Sequence, residues 1–298
     1  MSANSFVFYL IVSALYAALA TYFWRTRWQQ TAPATVETRP VFEPVIVLAP
    51  LLLHAMLLFN SVIADDGIHL GVGNAVSVIV WLTVVIYWIG NLFYRIEGLQ
   101  ALVMPVAAVC AFLPALLPPA RALPNTELPV FQVHLMIALL AYSFFTIASL
   151  HVLLMAVIEN RLHGRGLPTA LQRLPALLTM ETLLFRIILA GFVLLTLTLV
   201  TGIVYSEELF GKAMRFNHKT VFGILSWLIF AALLGGRWRY GWRGRIAVRW
   251  TLTGFLMLVL AYIGSSVLGS ARAGGSSAGR NAQTAATGMT SACSPSMR

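Results

Sequence analysis

Residues 220–250 read TVFGILSWLIFAALLGGRWRYGWRGRIAVRW, and this stretch decides what kind of protein the chain is. An apolar run, residues 220–234, is followed by a cluster of arginines. The cluster consists of Arg237, Arg239, Arg243, Arg245 and Arg249. An apolar run that ends in basic residues is typical of a transmembrane helix whose basic end lies in the cytoplasm. His218 and Lys219 stand before the run, so the pattern predicts a histidine at the outer membrane surface.

The composition of the whole chain agrees with a membrane protein. Hydrophobic residues make up 59% of the 298 residues, charged residues make up 10%, and the mean hydropathy is +0.83. The net charge of +10 comes from short basic clusters between apolar runs. Such clusters orient helices in a membrane and do not indicate a nucleic-acid surface. Cys110 and Cys293 have neither CxxC nor metal-ligand spacing, so no disulfide framework or redox pair is predicted.

Eight apolar runs are long enough to cross about 30 Å of hydrocarbon. They are Phe6–Trp24, Val45–Ile63, Val72–Phe93, Leu99–Leu117, Val130–Ile158, Leu183–Tyr205, Thr220–Leu234 and Trp250–Leu268. The predicted fold class is therefore all-α, a polytopic helical membrane protein with an eight-helix transmembrane domain over residues 1–269. Residues 270–298 are rich in Gly, Ser, Ala and Thr, which cannot bury enough apolar surface to fold, and are predicted to be a disordered tail.

Basic and acidic loops alternate along the chain. Arginines follow the first, fifth and seventh runs, whereas Asp65 and Asp66 follow the second. Because basic loops remain in the cytoplasm, both termini are predicted to lie outside. The fifth and seventh runs then both begin at the outer face of the membrane.

Four of the six histidines are candidate cofactor ligands. His134 and His218 are expected at one depth on the outer face, and His54 and His151 are expected within the bilayer. Paired neutral imidazoles are natural axial ligands of haem iron, which takes one nitrogen above and one below its plane. We therefore predict a non-covalent b-type haem whose iron is bound by His134 and His218. His54 and His151 form a second candidate pair, and the alternative for them is a neutral hydrogen bond between helices.

Three segments carry a resemblance to a known family. They are VHLMIALLAYSFF at residues 133–145, HKTVFGILSW at 218–227 and GWRGR at 241–245. Together they resemble cytochrome c assembly proteins of the CcsA/ResC group, with the YpjD-like and HemX-like branch as the nearest. In that family the first segment supplies an external haem-ligating histidine, and the other two follow the tryptophan-rich haem-handling loop. Where haem-transporting members read WGWDPKETW, this chain reads MRFNHKTVF at residues 214–222, which keeps the lysine and lacks the tryptophans.

The resemblance implies that His134 binds haem. The family's second external histidine has no counterpart at Gly264–Gly269, so His218 would take its place. The resemblance also implies a bacterial inner (plasma) membrane location, with haem and other cytochrome c maturation proteins as partners.

The leading hypothesis is an integral membrane haem-binding protein that assists cytochrome c assembly by handling or delivering haem. No carboxylate lies well inside a run, and nucleotide-binding, HExxH and GxSxG motifs are missing from the sequence. We therefore expect no independent catalytic activity. The alternatives are a HemX-like accessory or regulatory membrane protein that transports no haem, and a small-molecule permease. Haem absorbance of the purified protein distinguishes the first hypothesis from the others.

The topology is testable with reporter fusions. Reporters at the N-terminus and within residues 270–298 are expected to show a periplasmic location, because the basic loops stay inside. A reporter after Arg165 is expected to show a cytoplasmic location. The opposite pattern would separate His134 and His218 from the periplasm.

Overall fold

The chain is seen in a computed structural model. The structure describes residues 3–28, 43–64, 67–93, 98–117, 123, 126, 128–164, 177–210 and 218–262. Within these ranges it forms eight helices, here α1 to α8, and one short antiparallel ribbon of strands β1 and β2. The helices are Ala3–Trp28, Glu43–Val62, Val72–Phe93, Gln100–Leu116, Pro129–Gly164, Leu177–Phe210, His218–Tyr240 and Arg245–Tyr262, and the strands are Ile63–Ala64 and Gly67–Ile68. The predicted tail, residues 270–298, lies outside the described residues.

Seven of these helices are long and apolar enough to cross a membrane, which confirms the prediction of a polytopic helical membrane protein. The remaining helix, α4, is also apolar but has only 17 residues, a length of about 25 Å. Three helices extend six residues beyond their predicted runs: α5 ends at Gly164, α6 begins at Leu177 and α7 ends at Tyr240. The apolar run stops at Leu234, but α7 continues through Gly235 and Gly236 to Tyr240.

Helix α3 connects two parts of the bundle. α3 contacts α2, α4 and α5, while α1 lies against α4 and α2. The longest helices, α5 and α6, form an antiparallel pair, and α7 packs on α6. α8 joins α7 through the Ser226 hydroxyl, which donates to the Gly254 carbonyl at 2.9 Å. The arrangement places the outer ends of α5, α6 and α7 side by side.

Two contacts set the level at which α5 meets its neighbours. The Ser143 hydroxyl on α5 lies 3.0 Å from the Ile79 carbonyl on α3. The Phe145 ring stacks on the Phe230 ring of α7 with a centroid distance of 4.0 Å and an interplanar angle of 21°. Gly191 on α6 allows close approach, since an added Cβ would meet Phe145 ring atoms at 3.2 Å. These contacts hold α3, α5, α6 and α7 at a fixed register.

The turn between α7 and α8 explains the GWRGR sequence. Gly241 has a φ of +67° and donates its N–H to the Arg237 carbonyl at 3.1 Å, which is the αL ending of a helix. Gly244 has a φ of +55°, so both glycines adopt a backbone conformation that other residues rarely take. The Trp242 indole then folds back over Gly236, where an added Cβ would overlap the ring.

The arginines of this turn also join four helices through ion pairs. The Arg237 guanidinium on α7 donates to the Glu181 carboxylate on α6 at 2.7 Å, and Glu181 is only 7% exposed. Arg243 lies 3.8 Å from the same carboxylate oxygen, and Arg245 on α8 lies 3.4 Å from Glu159 on α5. The pair with Glu181 is largely shielded from water, whereas the exposed Arg245 pair adds about 1 kcal/mol or less. We call these five residues the ionic clamp.

The close contact of Gly236 with Trp242 makes a stability prediction. Gly236→Ala places a methyl group inside the indole ring, so the turn must shift, at a cost of about 1–3 kcal/mol. Gly235→Ala is the matched control, because its added Cβ meets no atom within 4 Å. In detergent we expect Gly236→Ala to lower the melting temperature and Gly235→Ala not to lower it. Equal melting temperatures for the two variants would contradict the packing of Trp242.

Candidate functional site at the outer ends of α5, α6 and α7

His134 lies on α5, five residues after its start at Pro129, and its ring is half-buried. Its Nδ1 is 2.7 Å from the Thr201 hydroxyl oxygen on α6. The Thr201 hydroxyl in turn donates to the Leu197 carbonyl at 2.7 Å. A hydroxyl has one hydrogen, so both contacts are hydrogen bonds only when Thr201 accepts from His134 and Nδ1 carries the ring proton. In that tautomer the Nε2 atom of neutral His134 keeps its lone pair, which is the form that binds a metal ion.

The backbones of α6 and α7 come close beside this ring. A Cβ added at Gly202 would lie 3.5 Å from the His134 Cε1 atom, so the ring faces this part of α6. Along the same stretch, a Cβ added at Gly223 of α7 would lie 3.7 Å from Leu199 of α6. One turn deeper, the Trp227 indole N–H donates to the Thr196 hydroxyl at 2.9 Å. The three helices therefore meet near His134.

The first turn of α7 reaches the level of His134. Antiparallel pairing of Trp227 with Thr196 and of Gly223 with Leu199 continues to the start of α7, next to residues 202–204 of α6. The Lys219 ammonium group is close enough to His134 for their charges to interact. Lys219 therefore brings a positive charge from α7 toward the ring.

His218 is the first residue of α7, and its side chain lies outside the described residues. The register places its backbone beside Val204, within about one helical turn, or 5 Å, of the height of Thr201. That a His218 nitrogen faces the His134 nitrogen stays a prediction.

His54 occupies a different place, between α1, α2 and α3. The residue is fully buried, and its Nε2 is 2.9 Å from the Ser77 hydroxyl. The Tyr16 ring packs edge-on against it with a centroid distance of 5.7 Å. Among the residues that the structure describes, neither His54 Nδ1 nor the Tyr16 hydroxyl has a hydrogen-bond partner. The cluster holds two unpaired polar groups but is closed to water.

His151 is also fully buried, near the cytoplasmic end of the α5–α6 pair. Its Nε2 lies 3.0 Å from the Met180 carbonyl, which can only accept, so Nε2 is the donor. Nδ1 has no partner in the described part of the chain. The hydrogen bond ties α5 to the first turn of α6.

The structure does not bring His54 and His151 together. Ile79 and Ser143 are at one level, and α3 and α5 run in the same direction. His54 is level with Ser77, two residues before Ile79, whereas His151 follows Ser143 by eight residues. The two histidines therefore differ in depth by about 15 Å. Two nitrogens that bind one metal ion from opposite sides lie about 4 Å apart, since each bond is about 2 Å long.

Sequence reasoning missed the partners of these histidines. Thr201 is one of several threonines in an apolar run, and only the pairing of α5 with α6 shows that it meets His134. Ser77 and Met180 are likewise ordinary residues in the sequence. Within the described ranges, no group of three or more His, Cys, Asp or Glu side chains is positioned to hold a metal ion. A metal site in this part of the chain would therefore have one or two histidine ligands.

The comparison with known proteins agrees with this architecture. The inner membrane protein YpjD of Escherichia coli is 38% identical over 140 residues, which cover 47% of this chain and 52% of YpjD. Cytochrome c biogenesis proteins CcsA from two strains of Prochlorococcus marinus are 41% and 39% identical over 90 residues. Those matches cover 30% of this chain and 29% of each CcsA protein. The chain thus spans about half the length of YpjD and under a third of the CcsA proteins. No solved structure matches the chain significantly.

A sequence model of the family described as cytochrome C assembly protein matches residues 39–271. This region includes α2 to α8, the four candidate histidines and the ionic clamp. The match covers most of the 298 residues. The chain therefore belongs to the cytochrome C assembly protein family.

Proposed function

We propose that this protein works in cytochrome c assembly in the bacterial inner membrane and binds haem at its outer face, with His134 as one axial ligand. Family membership and the similarity to CcsA cytochrome c biogenesis proteins support the process, and the similarity to the inner membrane protein YpjD supports the location. Haem is the cargo in this proposal, the group that cytochrome c assembly attaches to its protein.

The state of the His134 ring carries the proposal. A histidine that binds metal through Nε2 usually donates its Nδ1–H to a neighbouring acceptor, which fixes the ring and makes Nε2 more basic. His134 has this arrangement through Thr201. Its half-buried place near the outer end of α5 also leaves the ring within reach of a large, flat and apolar ligand. The residues that are present fit one side of a haem iron.

The start of α7 supplies the two other groups that haem needs. His218 would be the second axial ligand, because the register brings its backbone to within about a turn of His134's partner Thr201. Lys219 brings a positive charge close to the His134 ring, and a haem propionate is an anion that an ammonium group binds. Both residues stand in the segment that replaces the tryptophan-rich pattern of the haem-transporting members.

One haem iron cannot bind both His54 and His151, because the two histidines differ in depth by about 15 Å. Each would need a haem of its own. We assign them instead to helix packing, through their hydrogen bonds to Ser77 and Met180. Such bonds between transmembrane helices contribute about 0.6–2 kcal/mol each.

The haem proposal is tested on protein purified from cells with ample haem supply. Unmodified protein is expected to show haem absorbance, and His134→Ala and His218→Ala are each expected to shift or abolish it, because losing an axial ligand changes the spin state of the iron and weakens binding. His163→Ala, at the cytoplasmic end of α5, is the control and is expected to leave the spectrum unchanged. Folded unmodified protein without haem would overturn the proposal and favour the accessory, regulatory hypothesis.

The packing role of the buried histidines has its own test. A glutamine amide reproduces the Nε2–H donor of histidine but is a poor haem ligand. His54→Gln and His151→Gln are therefore expected to keep the haem-to-protein ratio of the unmodified protein. A fall in that ratio for either variant, with an unchanged melting temperature, would identify that histidine as a ligand.

A further inference from the structure

We propose that Thr201 is a positioning residue that selects the tautomer of His134 and aims its Nε2 atom at the ligand. The inference rests on the proposed function, because it concerns the same site. Nothing in the sequence separates Thr201 from the other threonines of α6, and only its contact with His134 singles it out.

The direction of the two hydrogen bonds follows from their geometry. The Thr201 hydroxyl oxygen lies 2.7 Å from both the Leu197 carbonyl oxygen and His134 Nδ1. Two oxygens at that distance require a hydrogen between them, and a carbonyl has none to give. Thr201 must therefore donate to Leu197, which is the common bond of a helical threonine to the preceding turn. The second contact can then form only if His134 Nδ1 is the donor.

This arrangement removes a freedom that a neutral imidazole otherwise has. The ring proton of a neutral histidine can reside on either nitrogen, and its environment decides which one. Here the proton stays on Nδ1, so Nε2 is the only nitrogen with a lone pair. The two ring nitrogens point away from each other, so anchoring Nδ1 on α6 turns Nε2 away from α6. The ring faces α6 at Gly202, where an added Cβ would lie 3.5 Å from its Cε1 atom.

Helix α6 also keeps the acceptor itself in place. Threonine is branched at Cβ and has a restricted χ1, and its bond to Leu197 restricts it further. The Thr201 oxygen is therefore already oriented before any ligand arrives. A hydrogen bond from Nδ1–H raises the basicity of Nε2, and loss of such a partner typically weakens metal binding by about tenfold to a hundredfold.

The first experiment needs no haem. Protein labelled with 15N-histidine and prepared without haem in detergent is compared by NMR with Thr201→Val, which keeps the shape of the side chain but lacks the acceptor. His134 is expected to be the Nδ1–H tautomer in the unmodified protein and to lose this preference in Thr201→Val. Thr201→Ser restores the acceptor and is expected to restore the tautomer. Thr198→Val is the matched control, because the Thr198 hydroxyl bonds only to the preceding turn of α6 among the described contacts.

The second experiment titrates haem into the same set of proteins. We expect the haem dissociation constant of Thr201→Val to rise about tenfold to a hundredfold, with a shifted absorbance spectrum, while Thr201→Ser and Thr198→Val stay close to the unmodified protein. Melting temperatures measured in parallel show whether Thr201→Val remains folded, and the tautomer of His134 in the unmodified protein provides the test if it does not.

The outcomes separate the two proposals. If unmodified protein binds haem but Thr201→Val changes neither the tautomer nor the dissociation constant, the role of Thr201 is overturned and the haem proposal stands. If unmodified protein binds no haem, the haem proposal fails, and the ligand-aiming role of Thr201 fails with it whatever tautomer NMR shows. A His134 that is the Nε2–H tautomer in the unmodified protein also overturns the role of Thr201.

Discussion

Polar groups inside this helical bundle have to find their partners within the protein, because hydrocarbon offers none. Many of them do so through single contacts between neighbouring helices, although His54 Nδ1, His151 Nδ1 and the Tyr16 hydroxyl have no partner among the described residues. Two indoles of α3 show it: the Trp81 and Trp88 N–H groups donate to the Leu51 and Pro44 carbonyls of α2 at 3.0 and 2.8 Å. Each such contact is modest in free energy, yet it fixes the height of one helix against the next. The register of the bundle follows from these pairs.

The same constraint gives the histidines different chemistry. His54 and His151 are fully buried, and each uses one nitrogen to bond a neighbouring helix. His134 also bonds its neighbour through one nitrogen, but its ring is only half-buried and lies near the start of α5. The hydrogen bond that holds two helices together can therefore also orient a histidine for metal binding, provided that the other nitrogen is accessible. Position in the bundle, and not residue type, separates these roles.

The end of α7 that carries the arginines follows a second constraint, which is charge. Arginines after α7 are predicted to stay in the cytoplasm and so to orient the helix. Two of them, Arg237 and Arg243, share the nearly buried carboxylate of Glu181, and Arg237 also places its guanidinium 4.5 Å above the centre of the Phe185 ring. The residues that are predicted to set topology thus also connect α6 to α7.

Hydropathy alone determined the all-helical class and the approximate spans, because about 20 apolar residues are needed to cross a bilayer and no other backbone arrangement satisfies itself there. Hydropathy did not predict where α7 ends, because glycines normally signal the end of a helix and here the helix continues through them. Gly236 is there instead because the Trp242 ring covers its Cα. His134 could be chosen as a ligand from its place in the sequence and from the family resemblance. Its partner Thr201, its tautomer and the separation of His54 from His151 depend on helix register. Register is decided by tertiary contacts between distant segments, and a pattern along one segment carries no information about it.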